Sequence, residues 1–285
     1  VRPGKKRKVG TMQALQDTGI TFTVTDTTHD WRIITCSHPV LEVFEQYGQM
    51  PLPPYIAYTD QDAPHYQPII ADETKPWSVA APTAALHFSE SLLEHLDRAD
   101  IARTTVTLHV GIGTFKTVDV EDITTYQIHD EVCEVRFDLF ARLARQKSAK
   151  KPLLAIGTTS TRTLESLPYL RAQITEVQKK THFDHETIQY RDKITDTITP
   201  QQSEQYVAGI VFHDSFFVFH STLYIFPWFQ FLVIDQLITN FHLPKSSLLM
   251  LIAWYIWYAQ MKHIYDHAIQ QQYRFFSFWD GMLLT

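Results

Sequence analysis

Cysteine is scarce: Cys36 and Cys133 are the two in 285 residues. They lie far apart with no metal-ligand spacing around either, which excludes a disulfide framework and a zinc site and makes a reducing cytoplasm the simplest setting. A membrane-spanning run is also missing. The most apolar stretch, 248–258, falls short of the roughly 18 to 20 residues that a bilayer requires. No basic-then-apolar leader opens the chain, so no membrane insertion is expected. Positive charge is in deficit, with 25 Lys and Arg against 31 Asp and Glu for a net charge of −6. A protein coated in positive charge is excluded, and any nucleic-acid contact must be a local patch.

Two nucleotide motifs are incomplete. TTVTLHVGIGTF (104–115) reads as a strand ending in Gly111 and Gly113, but a third glycine is missing and no helix opens after it, so it is not a dinucleotide fingerprint. LLAIGTTSTRTLES (153–166) places Thr158, Thr159, Ser160 and Arg162 at the start of a helix after Gly157. Hydroxyls, unpaired amides and an arginine suit phosphate, carboxylate or ribose oxygens, yet the P-loop lysine is absent and an NTPase does not follow.

What remains is ordinary for a globular protein of one or two domains, 45% hydrophobic and 20% charged. The chain opens at Val1 with VRPGKKRK, five basic residues and no acid, which suggests entry into the middle of a longer protein. The runs TGITFTVTD and DWRIITCSHPVLEVF predict a hairpin about the turn THD. The proline cluster MPLPPYI places a domain boundary near residue 49, giving domains 1–48 and 49–285. Ser89 is an N-cap candidate for a helix with Leu92, Leu93 and Leu96 on one face, and His87 precedes it. DLFARLARQKSAKK predicts an amphipathic helix, and 171–200 an irregular excursion.

Charged groups gather in three further places. YQIHDEVCEV holds His129, Asp130 and Glu131, where a carboxylate can orient a histidine for proton transfer or simply form a solvated turn. IFPWFQFLVID (225–235) predicts a buried strand that ends in NFHLPKSSLLM, with Asn240, His242 and Lys245 ahead of an apolar core helix and Pro244 in that helix's first turn. The helix start suits an anion, or is a cap beside a surface lysine. YRFFSFWDGML carries Arg274 and Asp280 among aromatics that could stack bases or fill a core.

Taken together, LPPYI, SVAAPTAALHF, TLHVGIGTF, IHDEVCEV, GTTSTRTLES, ITNFHLPKSSLLML and YRFFSFWDGML resemble, in order, the S-adenosylmethionine:tRNA ribosyltransferase-isomerases of queuosine biosynthesis. The resemblance runs from about Arg2 to the C-terminus. It implies an α/β (mixed α+β) domain with an inserted β-barrel, the barrel incomplete on its N-terminal side because the family's opening segment is absent. The implied reaction moves the ribosyl part of S-adenosylmethionine onto 7-aminomethyl-7-deazaguanine at the wobble position of a GUN anticodon, yielding epoxyqueuosine, adenine and methionine. S-adenosylmethionine is thus a substrate; no metal is implied, and a monomer is expected. Matching positions make His109, His129, Glu131 and Asp280 candidates for catalysis. His87, Thr158, Thr159, Ser160, Arg162, Asn240, His242, Lys245 and Arg274 are candidates for binding. Two stretches depart from the pattern: STLYIFPWFQF stands where the family has Trp-Thr-Asp and a Pro-Gly turn, and SFWDGML where it has SYGDAML. A non-catalytic tRNA-binding remnant is the alternative; a methyltransferase lacks its glycine-rich turn.

Overall fold

The computed structural model describes residues 8–27, 32–49, 52, 63–75, 78, 80–111, 118, 120–170, 205–275 and 280–285. The chain divides into two compact units, Val1–Pro51 and Leu52–Thr285.

In the first unit β1 (Met12–Ala14), β2 (Thr21–Thr27) and β3 (Arg32–Cys36) form an antiparallel sheet in the order β1-β2-β3. β-branched residues on β2 and β3 favour the extended chain, and a bulge interrupts the ladder between Val24 and Asp26. The predicted hairpin is present, with its THD turn outside the described residues. VLEVF does not continue the strand: after Pro39 it forms α1 (Val40–Tyr47), whose Val43 is buried, as are Ile20 and Val24 of the same unit. Three described strands form an open sheet and not a closed barrel.

The second unit has two sheets. β4 (Thr107–His109), β5 (Glu131–Arg136), β8 (Phe216–Ser221) and β7 (Val207–Phe212) run antiparallel in that order, while β6 (Leu154–Ile156), β9 (Gln236–Asn240) and β10 (Gly281–Leu284) form the order β10-β9-β6. β6 is parallel to β9 and β10 antiparallel to it, so the unit is mixed α/β. α4 (Thr158–Ser166) packs on β6, β8 and β9 and is buried along most of its length. Phe217, Phe219, Leu237 and Ile252 centre the apolar core. α2 (Glu90–Arg98) is capped as expected by Ser89, whose Oγ accepts from Leu92 N at 3.2 Å, and α3 (Phe137–Ser148) matches the predicted amphipathic helix.

Two local expectations fail for identifiable reasons. Residues 225–235 form no strand, because the N–H groups of Leu232, Val233 and Ile234 donate to the buried Glu165 carboxylate at 2.8, 3.0 and 2.9 Å and are lost to a ladder. Pro244 lies in a turn ahead of its helix: α5 (Ser247–Tyr255) starts three residues later under a Ser246 cap, because Lys245 between them has φ +58°. α6 (Tyr258–Gln270) follows α5 directly.

Candidate functional site

β6 and β9 end side by side at their carboxyl edges, where open α/β sheets commonly place ligands. Gly157 follows β6 with φ +92°, donates to Ile238 O at 2.8 Å, and turns the chain into α4. The amides of Thr158, Thr159 and Ser160 therefore open a helix at this edge, without intrahelical acceptors. Asn240 ends β9 opposite Gly281 of β10 and is buried. Its side chain meets Thr83 Oγ1 at 3.0 Å and His87 Nε2 at 3.1 Å, both from the 3₁₀ turn Thr83–His87.

Asp280 stands next to Gly281 and takes hydrogen bonds from Arg274 N at 2.8 Å and Arg274 Nη2 at 3.1 Å. Those bonds hold its carboxyl below the usual carboxylate range. A Cβ on Gly281 would lie 3.2 Å from His87 Nε2, so His87 belongs to the same group. Thr83, His87, Asn240, Asp280 and Arg274 thus meet at one edge of the sheet, although 157 positions separate Thr83 from Asn240.

His242 leaves that edge by a different route. Its Nε2 meets Thr239 Oγ1 at 2.7 Å and its N–H donates to the Tyr265 hydroxyl at 2.9 Å. Burial pushes its ring down to about 4, so it is neutral at physiological pH. Lys245 remains exposed in the turn before α5, with its carbonyl accepting from Val118 N at 2.8 Å.

A second group lies on β5 and α4. Glu131 is 1% exposed and its Oε2 sits 2.9 Å from Arg162 Nη1 without a directed hydrogen bond. His129 Nε2 lies 3.6 Å from Glu131 Oε1, a charge contact and not a hydrogen bond. Burial works to raise the Glu131 carboxyl, but the Arg162 guanidinium, with His129 beside it, outweighs burial and holds the group below its ordinary range. Among the described residues, both ring nitrogens of His129 are buried without a hydrogen-bond partner, as are both Glu131 oxygens. Buried polar atoms of this kind are rare. Arg162 is directed inward, donating to Leu223 O at 3.0 Å and His129 O at 3.4 Å. It is 3% exposed, and so is no surface contact for an RNA phosphate. His109 on β4 pairs with Val132, the residue after Glu131, and its Nδ1 has no hydrogen-bond partner among the described residues.

α4 joins both groups, with its N-terminal threonines at the sheet edge and Arg162 one turn further along. Sequence reading missed three supports: Thr83, Glu165 and the Ser166–Ser221 hydroxyl pair at 2.6 Å. Thr83 was within sight, four residues before His87 in SVAAPTAALHF. Cys133 sits beside Thr163 Oγ1 at 3.3 Å, and burial pushes its thiol up to about 12, which leaves it inert. Among the described residues, no group of three or more His, Cys, Asp and Glu side chains could hold a metal ion.

The polar group at the carboxyl edge and the group of Glu131, Arg162 and His129 thus both lie in the mixed α/β unit, joined by α4. A family profile described as Queuosine biosynthesis protein matches residues 1–284. The chain belongs to that family. It is 36% identical to the S-adenosylmethionine:tRNA ribosyltransferase-isomerases of Desulforamulus reducens and Acinetobacter baylyi, across 100% of this chain and 72% of each relative. Identity to the enzyme of the same name from Burkholderia lata is 34%, across 100% of this chain and 70% of that one. A crystal structure of S-adenosylmethionine tRNA ribosyltransferase from Thermotoga maritima aligns at 25% identity and a TM-score of 0.46, covering 100% of this chain and 68% of that one.

Proposed function

We propose that this protein is an S-adenosylmethionine:tRNA ribosyltransferase-isomerase. It transfers and isomerises the ribosyl part of S-adenosylmethionine onto 7-aminomethyl-7-deazaguanine at the wobble position of a GUN-anticodon tRNA, with loss of adenine and methionine. The observation that carries the mechanism is the group formed by the buried Glu131–Arg162 ion pair and His129, in which the Glu131 oxygens and the His129 ring nitrogens are buried without a hydrogen-bond partner among the described residues.

A sulfonium acidifies the adjacent ribose C–H, and a neutral imidazole is a suitable base for that proton. His129 is assigned this role. Glu131 steadies the imidazolium that results, and Arg162 keeps Glu131 ionised inside the fold. Adenine leaves as its nitrogen gains a proton, for which His109, paired with Val132 on the neighbouring strand, is a candidate. Methionine leaves as the thioether once its bond to the ribosyl carbon breaks, so both leaving groups are released intact.

The amides of Thr158, Thr159 and Ser160 suit the methionine carboxylate. Asn240, His87 and Thr83 offer donors and acceptors of the kind that hold ribose hydroxyls or a base edge. Asp280 and Arg274 close that side, His242 supports it as a neutral hydrogen-bonding group, and Lys245 supplies exposed charge for the tRNA backbone. We assign residues 1–48 to part of a β-barrel domain and 49–285 to the α/β domain, and the working state to a cytoplasmic monomer. The test is to incubate the protein with S-adenosylmethionine and tRNA carrying the aminomethyl base, digest the tRNA, and examine nucleosides by mass spectrometry. Epoxyqueuosine is expected; an unchanged aminomethyl nucleoside under saturating substrate contradicts the proposal.

A further inference from the structure

Two tryptophans have backbone conformations that belong to glycine. Trp228 has φ +82°, and Trp257 has φ +66° with ψ 142°. A bulky side chain at positive φ brings Cβ against the backbone, and the Trp257 conformation borders a region that is essentially glycine's alone.

Each has a recognisable local reason. Phe229 N donates to Phe226 O at 3.1 Å, closing a four-residue turn with Pro227 second and Trp228 third. Proline second and φ near +80° third is the type II turn, whose third position calls for glycine. Trp257 lies between the end of α5 and the start of α6, where it caps α6. Gly157 caps α4 with φ 92° and ψ 148°, almost the same backbone, and there the residue is glycine.

Neither side chain compensates for this conformation. Trp228 is 86% exposed and Trp257 65% exposed. Their ring contacts are with Trp254, at 5.6 and 4.9 Å between centroids. Trp254 differs: it sits within α5 and its Nε1 is bonded to Phe229 O at 2.6 Å. The sequence supplies a third case, because Trp279 stands where SYGDAML has glycine, just as Pro227-Trp228 stands where the resemblance has Pro-Gly. The chain is also short of glycine, with 9 in 285 residues against about 7% in average proteins.

We infer that positions 228, 257 and 279 are glycine positions, and that their tryptophans arise from UGA codons which the source organism reads as glycine. UGA is tryptophan in some genetic codes and glycine in others, so one reassignment accounts for all three sites. The inference is independent of the proposed reaction.

Its test has two arms. In the gene, UGA is expected at all three codons, and in protein from the source organism peptides spanning 228 and 257 should carry glycine by mass; UGG codons, or indole-bearing peptides, overturn the reassignment. In the recombinant chain, Trp228→Gly and Trp257→Gly should each raise Tm by about 2–4 °C as the strain is relieved. Trp254→Gly, inside a helix with its indole anchored, should lower it. If the first two variants lose Tm, or weaken binding to unfractionated tRNA, the rings are native contacts and the inference is wrong.

Discussion

Glu131 and Arg162 illustrate how a buried pair resists simple substitution. Glu131→Gln leaves the guanidinium of Arg162 without its counter-charge in the interior, at a cost of about 3–5 kcal/mol. The double variant Glu131→Gln/Arg162→Met should recover most of the lost melting temperature while leaving epoxyqueuosine formation abolished. Recovery of turnover along with stability would reduce the pair to a packing element. Glu165 makes a different prediction, because burial lifts its carboxyl to about 7 against three opposing amide hydrogen bonds. The folded state then holds a proton that the unfolded chain has released between pH 4.5 and 7. Stability from this group is therefore present below pH 4.5 and lost as pH rises through 7, on the order of 3 kcal/mol. Melting temperature followed across that window should fall for the parent, and Glu165→Gln should remove this component of the slope. An identical slope in the variant would show that Glu165 is not the titrating group.

At the level of elements, Gly157 is the pivot between β6 and α4. A Cβ there meets nothing closer than 3.8 Å, so Gly157→Ala is opposed by its φ of +92° and not by a clash. The expected loss is about 1–3 kcal/mol in thermal unfolding, with a raised KM for S-adenosylmethionine as the α4 amides shift. Loss of stability with an unchanged KM would remove that helix start from the binding site. Lys245, exposed before α5, belongs to the same scale: Lys245→Ala should reduce the slope of log affinity for tRNA against log salt by about 0.7–0.9. The sequence displayed two of these turns plainly, since Gly157 and Ser89 are local signals of helix ends, whereas Pro244 drew the start of α5 three residues too early. It could not display the fate of 225–235. That stretch has a strand's composition, but its amides are claimed by Glu165, more than sixty positions away in the chain, and no local pattern carries such information. α1 was missed for a milder reason, as VLEVF suits either state until Pro39 breaks the strand.

For the whole molecule, the motifs revealed the ingredients of the site but not their partition. His129, Glu131 and Arg162 were visible as charged residues, whereas their burial and unsatisfied atoms depend on α4 packing against both sheets. Thr83 and Asn240 likewise meet only because the 3₁₀ turn folds onto the end of β9. The central claim is that this protein breaks both the glycosidic and the sulfonium bonds of S-adenosylmethionine while passing the ribosyl unit to tRNA. Quantifying small-molecule products alongside modified tRNA tests this most directly. The account predicts adenine and methionine in equal amounts, each matching the epoxyqueuosine formed; S-adenosylhomocysteine as the sole product would contradict it.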